Sequence, residues 1–275
     1  MAAGASDGDI TRASLLGRLY RDYERLIIGG GSVLLVLLVW ETVVRAGFAD
    51  PLFLPAPTQI VQAAIALFAE GEIWMHLRVS GSEFLVGYAL SALIGIPLGL
   101  ATGWYRRLSY VLGPFIDTLN AVPRLTLMPI IVIWFGIGIW SKAIVAFLGA
   151  VLPILIATYS GVKTNELRFL QVARSFSASE LKIFTSIILP GTVPFIFTGL
   201  KYGVGRALLG VVVGELYAAT AGLGYMIGDA GDTFRTDIVF VGVLIFTVTG
   251  LVSVSILNAF ERRFETWRPK VGAGA

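Results

Sequence analysis

Apolar residues in this chain come in runs too long for a soluble core helix and too continuous for an amphipathic surface one. Six of them cover about twenty residues or more with almost no charge: Ile27 to Ala46, Phe84 to Gly103, Val111 to Phe135, Ser141 to Val162, Ile187 to Tyr217 and Ile238 to Phe260. At 1.5 Å rise per residue, each is long enough to cross a hydrocarbon core of roughly 30 Å. In that solvent a helix satisfies its own backbone groups. The pattern predicts an all-α membrane protein with six transmembrane helices over residues 27–260, flanked by a polar segment at 1–26 and a tail at 261–275. The stretch from Gly47 to Gly81 carries a Pro-punctuated entry and an amphipathic run, Ile60 to Phe68, and reads as a packed cover at one face of the membrane.

Composition sharpens this picture. The 275 residues are 56% hydrophobic and only 14% charged, with a mean hydropathy of +0.81, outside the range of soluble domains. There is no cysteine and one histidine, His76. That leaves no thiol chemistry, no histidine metal cluster and little for an intramembrane enzyme to use. His76 reads as an interfacial residue. The placement of cations matters more than the net +3, and nothing in it calls for nucleic acid. Arg12 to Arg25, Arg106, Arg107, Lys163, Arg168, Arg174, Lys182 and Arg262 to Lys270 fall on one side of the six-span topology, and only Arg45, Arg78, Lys142 and Arg235 on the other. By the positive-inside rule both termini are cytoplasmic.

Small residues recur at four-residue spacing: Gly95, Gly99 and Gly103, Gly199 and Gly203, Gly210 and Gly214. They serve either close packing within one chain or a seam between two. The loop AATAGLGYMIGDAGDTFRTD holds Asp229, Asp232 and Asp237 at a spacing that fits no calcium loop, so they read as solvated acids. Trp134, Trp140 and Trp267 fall near membrane boundaries, as aromatic belts do.

One inward stretch breaks the apolar rhythm. In LQVARSFSASELKIFTSIILP, Leu167, Leu170, Ala173 and Phe176 recur every third residue, predicting a short helix over Glu166 to Phe176 that is too charged to span. Ser177-Ala178-Ser179-Glu180 fits a capping box, with Ser177 as the cap that opens a second short helix. Pro190 suits the first turn of the fifth span. Two short helices on the inner face make a partly apolar knob suited to seating in a partner's groove.

These residues carry a family resemblance. The stretch resembles the EAA loop of ABC importer permeases: Gln171-Val172-Ala173 stands at Glu-Ala-Ala, Ser177 at the glycine, and Ile187, Leu189 and Pro190 at the Ile-x-Leu-Pro end. The likeness extends over PLFLPAPTQI, GIPLGLATG, VLGPFIDTLNAVPR, MPIIVIWFGIGIWSK, GLGYMIGDAG and ERRFETW, which look like the nitrate, sulfonate, taurine and bicarbonate branch. The resemblance implies the six-helix type I importer fold in a bacterial inner membrane. It implies cytoplasmic ATPase subunits that bind ATP and Mg, a second permease copy forming a homodimer, and an extracytoplasmic substrate-binding protein. The contact with the ATPase would then run through Glu166, Leu170, Gln171, Val172, Ala173, Arg174, Phe176, Ser177, Ala178, Ser179 and Glu180. The chain itself contains no Gly-x-x-x-x-Gly-Lys-Ser/Thr loop, so it is not expected to bind ATP by that device, nor to be an enzyme.

Four ionisable residues inside the spans, Arg124, Lys201, Arg206 and Glu215, are candidates for the translocation path. Charges there face a cavity or a partner. Either the three cations line the way of a small anionic or zwitterionic nutrient, or they pair with Asp117 or Glu215 or snorkel to an interface. The competing reading of the whole chain is an ATP-independent secondary transporter or channel, although no internal repeat supports it.

Overall fold

The computed structural model describes Glu24 and residues 28–164 and 167–264, with the side chains of residues 167–170 also left aside. The expected polar N-terminal segment, Glu166 and the tail from residue 265 onward lie outside the described residues. Helix α1 is Ile28–Arg45. There follow α2 (Pro57–Glu70), α3 (Ile73–Trp104), α4 (Arg106–Ala121), a 3-10 turn (Arg124–Leu127) with α5 (Met128–Phe135), α6 (Ile139–Thr164), α7 (Leu167–Ser175), α8 (Glu180–Ile183), α9 (Leu189–Ala218), α10 (Leu223–Asp232) and α11 (Thr236–Arg262). Five are long and apolar enough to span, counting α8 and α9 together; the pair α4–α5 makes a sixth if it is one bent span.

Helix α6 is the axis of the molecule. Half of its apolar window is buried, against 6% of that of α1, because α3 and α9 pack along its two sides. Phe84, Ala146, Ala150, Ile154, Val204, Ala207, Leu208 and Val211 form the main core between the three. Dispersion, not water expulsion, holds such helices together in lipid, so the backbones must come close. A Cβ on Gly99 would lie 2.6 Å from Thr158 Cβ, and one on Gly210 would lie 2.9 Å from Ala146 Cα. The glycine spacing thus serves α3–α6 and α6–α9 contacts within one chain, not a seam between copies. Apolar side chains on the outer faces, such as Val248, Leu251 and Ile256 of α11, are exposed as lipid-facing residues should be.

The third span differs from the straight helix expected over Val111 to Phe135. Its two halves meet at 86°. Pro123 is the cause: a residue before proline is excluded from helical geometry, and Val122 sits at φ −68°, ψ 127°. Helix α2 begins at Pro57, with the Gln59 side chain accepting from the Ala56 amide at 2.8 Å. It buries Ile60 and packs against α11 and α3, covering one end of the bundle.

The region before the fifth span also departs from expectation. Instead of a helix that stops before Leu189-Pro190, α8 runs through a π turn, Phe184–Ile188, straight into α9, making one apolar helix of 39 residues from Glu180 to Ala218. Proline at 190 has no N–H to donate, and the wider π turn absorbs the mismatch, with the Leu189 amide donating to the Phe184 carbonyl five residues back.

Candidate functional site

Three polar or exposed features stand out against this apolar frame. The first is the elbow between α7 and α8. Helix α7 ends where Ser177 takes a left-handed φ of 57°, the Ser177 amide donates to the Arg174 carbonyl at 2.9 Å, and the Ala178 amide donates to the Ala173 carbonyl at 3.0 Å. This is a Schellman ending, built on serine where glycine is usual. Ala173 and Ala178, the residues it brings together, both pack against the cluster of Val162, Ile183 and Ile188. The cap of α8 is therefore not Ser177, as expected, but Ser179, whose Oγ accepts from the Lys182 amide at 3.3 Å. The shift has a simple origin: a residue in left-handed geometry ends one helix and cannot also take the extended N-cap geometry of the next. Ser179 has that geometry, at φ −67°, ψ 151°.

The elbow is braced by an Arg174–Glu180 ion pair at 3.3 Å and by Trp104 packing edge-on to Phe184. Gln171, Ser177, Ser179 and Glu180 are exposed, and Ala178 is half-buried. Val172, Phe176 and Leu181 are 55%, 83% and 73% exposed, so three large apolar side chains stand on a rigid corner. Leu170 lies in α7, its side chain outside the described residues.

A second feature is a cleft of about 520 Å³ at the break of the third span, lined by Asn120, Pro123, Arg124, Gly149, Arg206 and Leu209 among others. Arg124 Nη1 donates to the Gly149 carbonyl at 3.1 Å and Nη2 to Asn120 Oδ1 at 3.0 Å. Asn120 stands one turn before Arg124 in sequence, and the bond survives the break because the 3-10 turn starts directly after Pro123. Gly149 has to be glycine: a Cβ there would lie 2.7 Å from the Arg206 carbonyl. That close approach brings α6 and α9 together where the two arginines meet the cleft.

The remaining candidates lie elsewhere. Lys201 is paired with Glu261 of α11, so neither Asp117 nor Glu215 is its partner. Asp117 is exposed on α4. Glu215 is 1% exposed and belongs to a third feature, a buried polar cluster toward the opposite end of α9 from the elbow. Its Oε1 accepts from Ser80 Oγ and its Oε2 from the Gly224 amide, both at 2.6 Å. Ser80 Oγ accepts from the Leu223 amide at 2.7 Å, and His76 Nδ1 from the Gly222 amide at 3.0 Å. Successive amides at the start of α10 are thus capped by α3 and α9 side chains. Glu83 is buried beside this cluster. Lys142, expected among the few cations on the outer side, is 2% exposed; its stem passes Gly214 and its ammonium donates to the carbonyls of Ile137 and Gly138. Sequence reasoning missed Ser80, Glu83, Lys142 and Asn120 as polar elements of the interior. Periodicity carries no trace of them, because their partners are remote or lie across a break. Among the described residues no group of acids and histidines is placed to hold a metal ion.

An all-helical bundle with five, or up to six, helices long and apolar enough to cross a bilayer is the architecture of a multi-pass membrane protein. The family model described as binding-protein-dependent transport system inner membrane component matches residues 95–266, and the chain belongs to that family. It is an inner-membrane ABC transporter permease of the taurine and sulfonate branch. The taurine transport system permease protein TauC of Escherichia coli is 34% identical over 88% of this chain and 90% of its own length. The putative aliphatic sulfonates transport permease SsuC of Bacillus subtilis is 33% identical over 85% of this chain and 84% of its own. A solved chain from the crystal structure of an amino acid ABC transporter with histidines shares the fold, with a TM-score of 0.56 at 16% identity, over 73% of this chain and 97% of its own.

Proposed function

We propose that this chain is the non-catalytic translocating subunit of an ABC importer for a small anionic or zwitterionic nutrient of the sulfonate type. It is driven by ATP hydrolysis, with Mg, on separate cytoplasmic ATPase subunits. A second copy of the chain completes the pathway, an external substrate-binding protein delivers the solute, and both termini face the cytoplasm. The names of the sulfonate and taurine relatives support the solute class. The observation that carries the coupling is the elbow: Val172, Phe176 and Leu181 stand exposed on a corner braced from behind. Exposed apolar groups on a firm support are what a groove-bearing partner recognises. An ATPase whose two states grip this corner differently shifts the bundle between its own two states.

The path reading narrows to Arg124 and Arg206, since Lys201 is neutralised by Glu261 and Glu215 is occupied in capping α10. The test of coupling is co-purification and uptake. Full-length chain tagged at its C-terminus is expected to bring down a nucleotide-binding subunit in mild detergent. Phe176→Arg and Ala173→Glu are expected to insert normally yet lose at least tenfold of ATP-driven uptake. Normal uptake by both variants would remove the elbow from the mechanism, and solute movement by the chain alone in liposomes would instead favour an ATP-independent transporter.

A further inference from the structure

We infer that the cleft at the break of the third span is an oxyanion subsite of the permease itself, in which Arg124 and Arg206 take a sulfonate or carboxylate group and Asn120 positions Arg124. The inference rests on the proposed importer role for its biological meaning and on geometry for its chemistry. Two guanidinium groups line one cleft, and among the described residues no carboxylate lies within ion-pair distance of either. The contrast with Lys201 is direct: a cation on the same helix, five residues away, is paired with Glu261. Arg124 is held by neutral acceptors only, the Gly149 carbonyl and the Asn120 amide oxygen. Those bonds orient its planar fork without cancelling its charge.

Location supports the same conclusion. Gly149 lies about 15 Å and 22 Å along α6 from its two ends, at 1.5 Å per residue, which is near the middle of the span. Charges at that depth face a cavity or a partner: Arg124 has only neutral acceptors and Arg206 is exposed where it lines the cleft, so an entering anion would supply the charge partner that the described residues do not. A guanidinium matches two oxygens of one group. Gly149, Pro153 and Leu209 also line the cleft, which leaves room for a short apolar tail, and the side-chain acceptor beside them, Asn120 Oδ1, is already engaged by Arg124.

The test uses full-length chain in phosphatidylcholine nanodiscs and saturation-transfer NMR, with ethanesulfonate, propionate and tetramethylammonium as probes. Saturable transfer is expected to one or both oxyanions and not to the cation. Asn120→Asp is the decisive variant. It keeps the oxygen that accepts from Arg124, so the fold is retained, but it places a carboxylate on the guanidinium and removes one net positive charge from the cleft. Its apparent Kd for the oxyanion is expected to rise at least tenfold, as is that of Arg206→Gln, while Arg235→Gln, on the far outer loop, binds as the parent does. Parental affinity in either cleft variant, or the absence of saturable oxyanion transfer in the parent, overturns the subsite. The assay contains no ATPase and no external binding protein. Its failure therefore leaves the importer reading to be judged by co-purification.

Discussion

Ser177 holds a left-handed backbone angle that glycine adopts freely and other residues adopt at a cost of about 1 kcal/mol. The strain persists because the two Schellman bonds fix the turn and the packing of Ala173 and Ala178 on the Val162, Ile183 and Ile188 cluster holds both sides of it. Ser177→Gly is therefore expected to stabilise the elbow by up to about 1 kcal/mol, read as slower hydrogen exchange over residues 173–183. Ser177→Val, β-branched at the same angle, should speed exchange there. A different economy governs Glu215, where one carboxylate serves a hydroxyl and an amide that have no water to turn to. Glu215→Ala strands both donors, at about 1–3 kcal/mol each. A lower unfolding temperature in detergent is expected, together with faster exchange at Leu223 and Gly224. Parental exchange at those two amides would show that the cap does not hold α10.

At the level of elements, much of the fold is legible in the sequence, and the exceptions have physical causes. Span positions follow from uninterrupted apolar length, which lipid enforces directly. The four-residue glycine spacing announces close helix contact, although only the coordinates assign it to α3, α6 and α9 in one chain. The kink between α4 and α5 is foreshadowed by Val122-Pro123, yet hydropathy averaged over the window conceals it. Pro190 pointed to a helix start, and the π turn made it an interior position. Of the candidate site, the elbow's place is readable from spacing, but of its exposed apolar residues only Phe176 lies on the expected stripe; Ala173 of that stripe packs inward, and Val172 and Leu181 lie off it. The elbow's cap is not readable, since Ser177 and Ser179 offer the same chemistry and only backbone angles separate them. Arg124 and Arg206 are visible as intramembrane cations, whereas Asn120 and the pairing of Lys201 with Glu261 depend on contacts that no local pattern encodes.

For the molecule as a whole, the distribution of Lys and Arg predicts that the elbow faces the cytoplasm and the α10–α11 loop faces outward. The natural absence of cysteine makes this straightforward to check. Single cysteines at the exposed positions Ser175 and Thr233 are expected to react with a membrane-impermeant maleimide from opposite sides: Ser175→Cys only in inverted vesicles, Thr233→Cys in intact cells. The reverse pattern would place the elbow outside and exclude a cytoplasmic ATPase as its partner.

The unbroken run from Glu180 to Ala218 gives the protein a seesaw. Its 39 residues reach about 58 Å at helical rise, with the fulcrum near Gly199 and Gly203, where the α9 backbone lies against Ile154. Pivoting by about ten degrees around that point sweeps either tip through about 5 Å, on the scale of one helical turn. A displacement at Leu181 is expected to reach Glu215 through one continuous helix, whose places to bend on the way are the π turn at Phe184–Ile188 and Pro194.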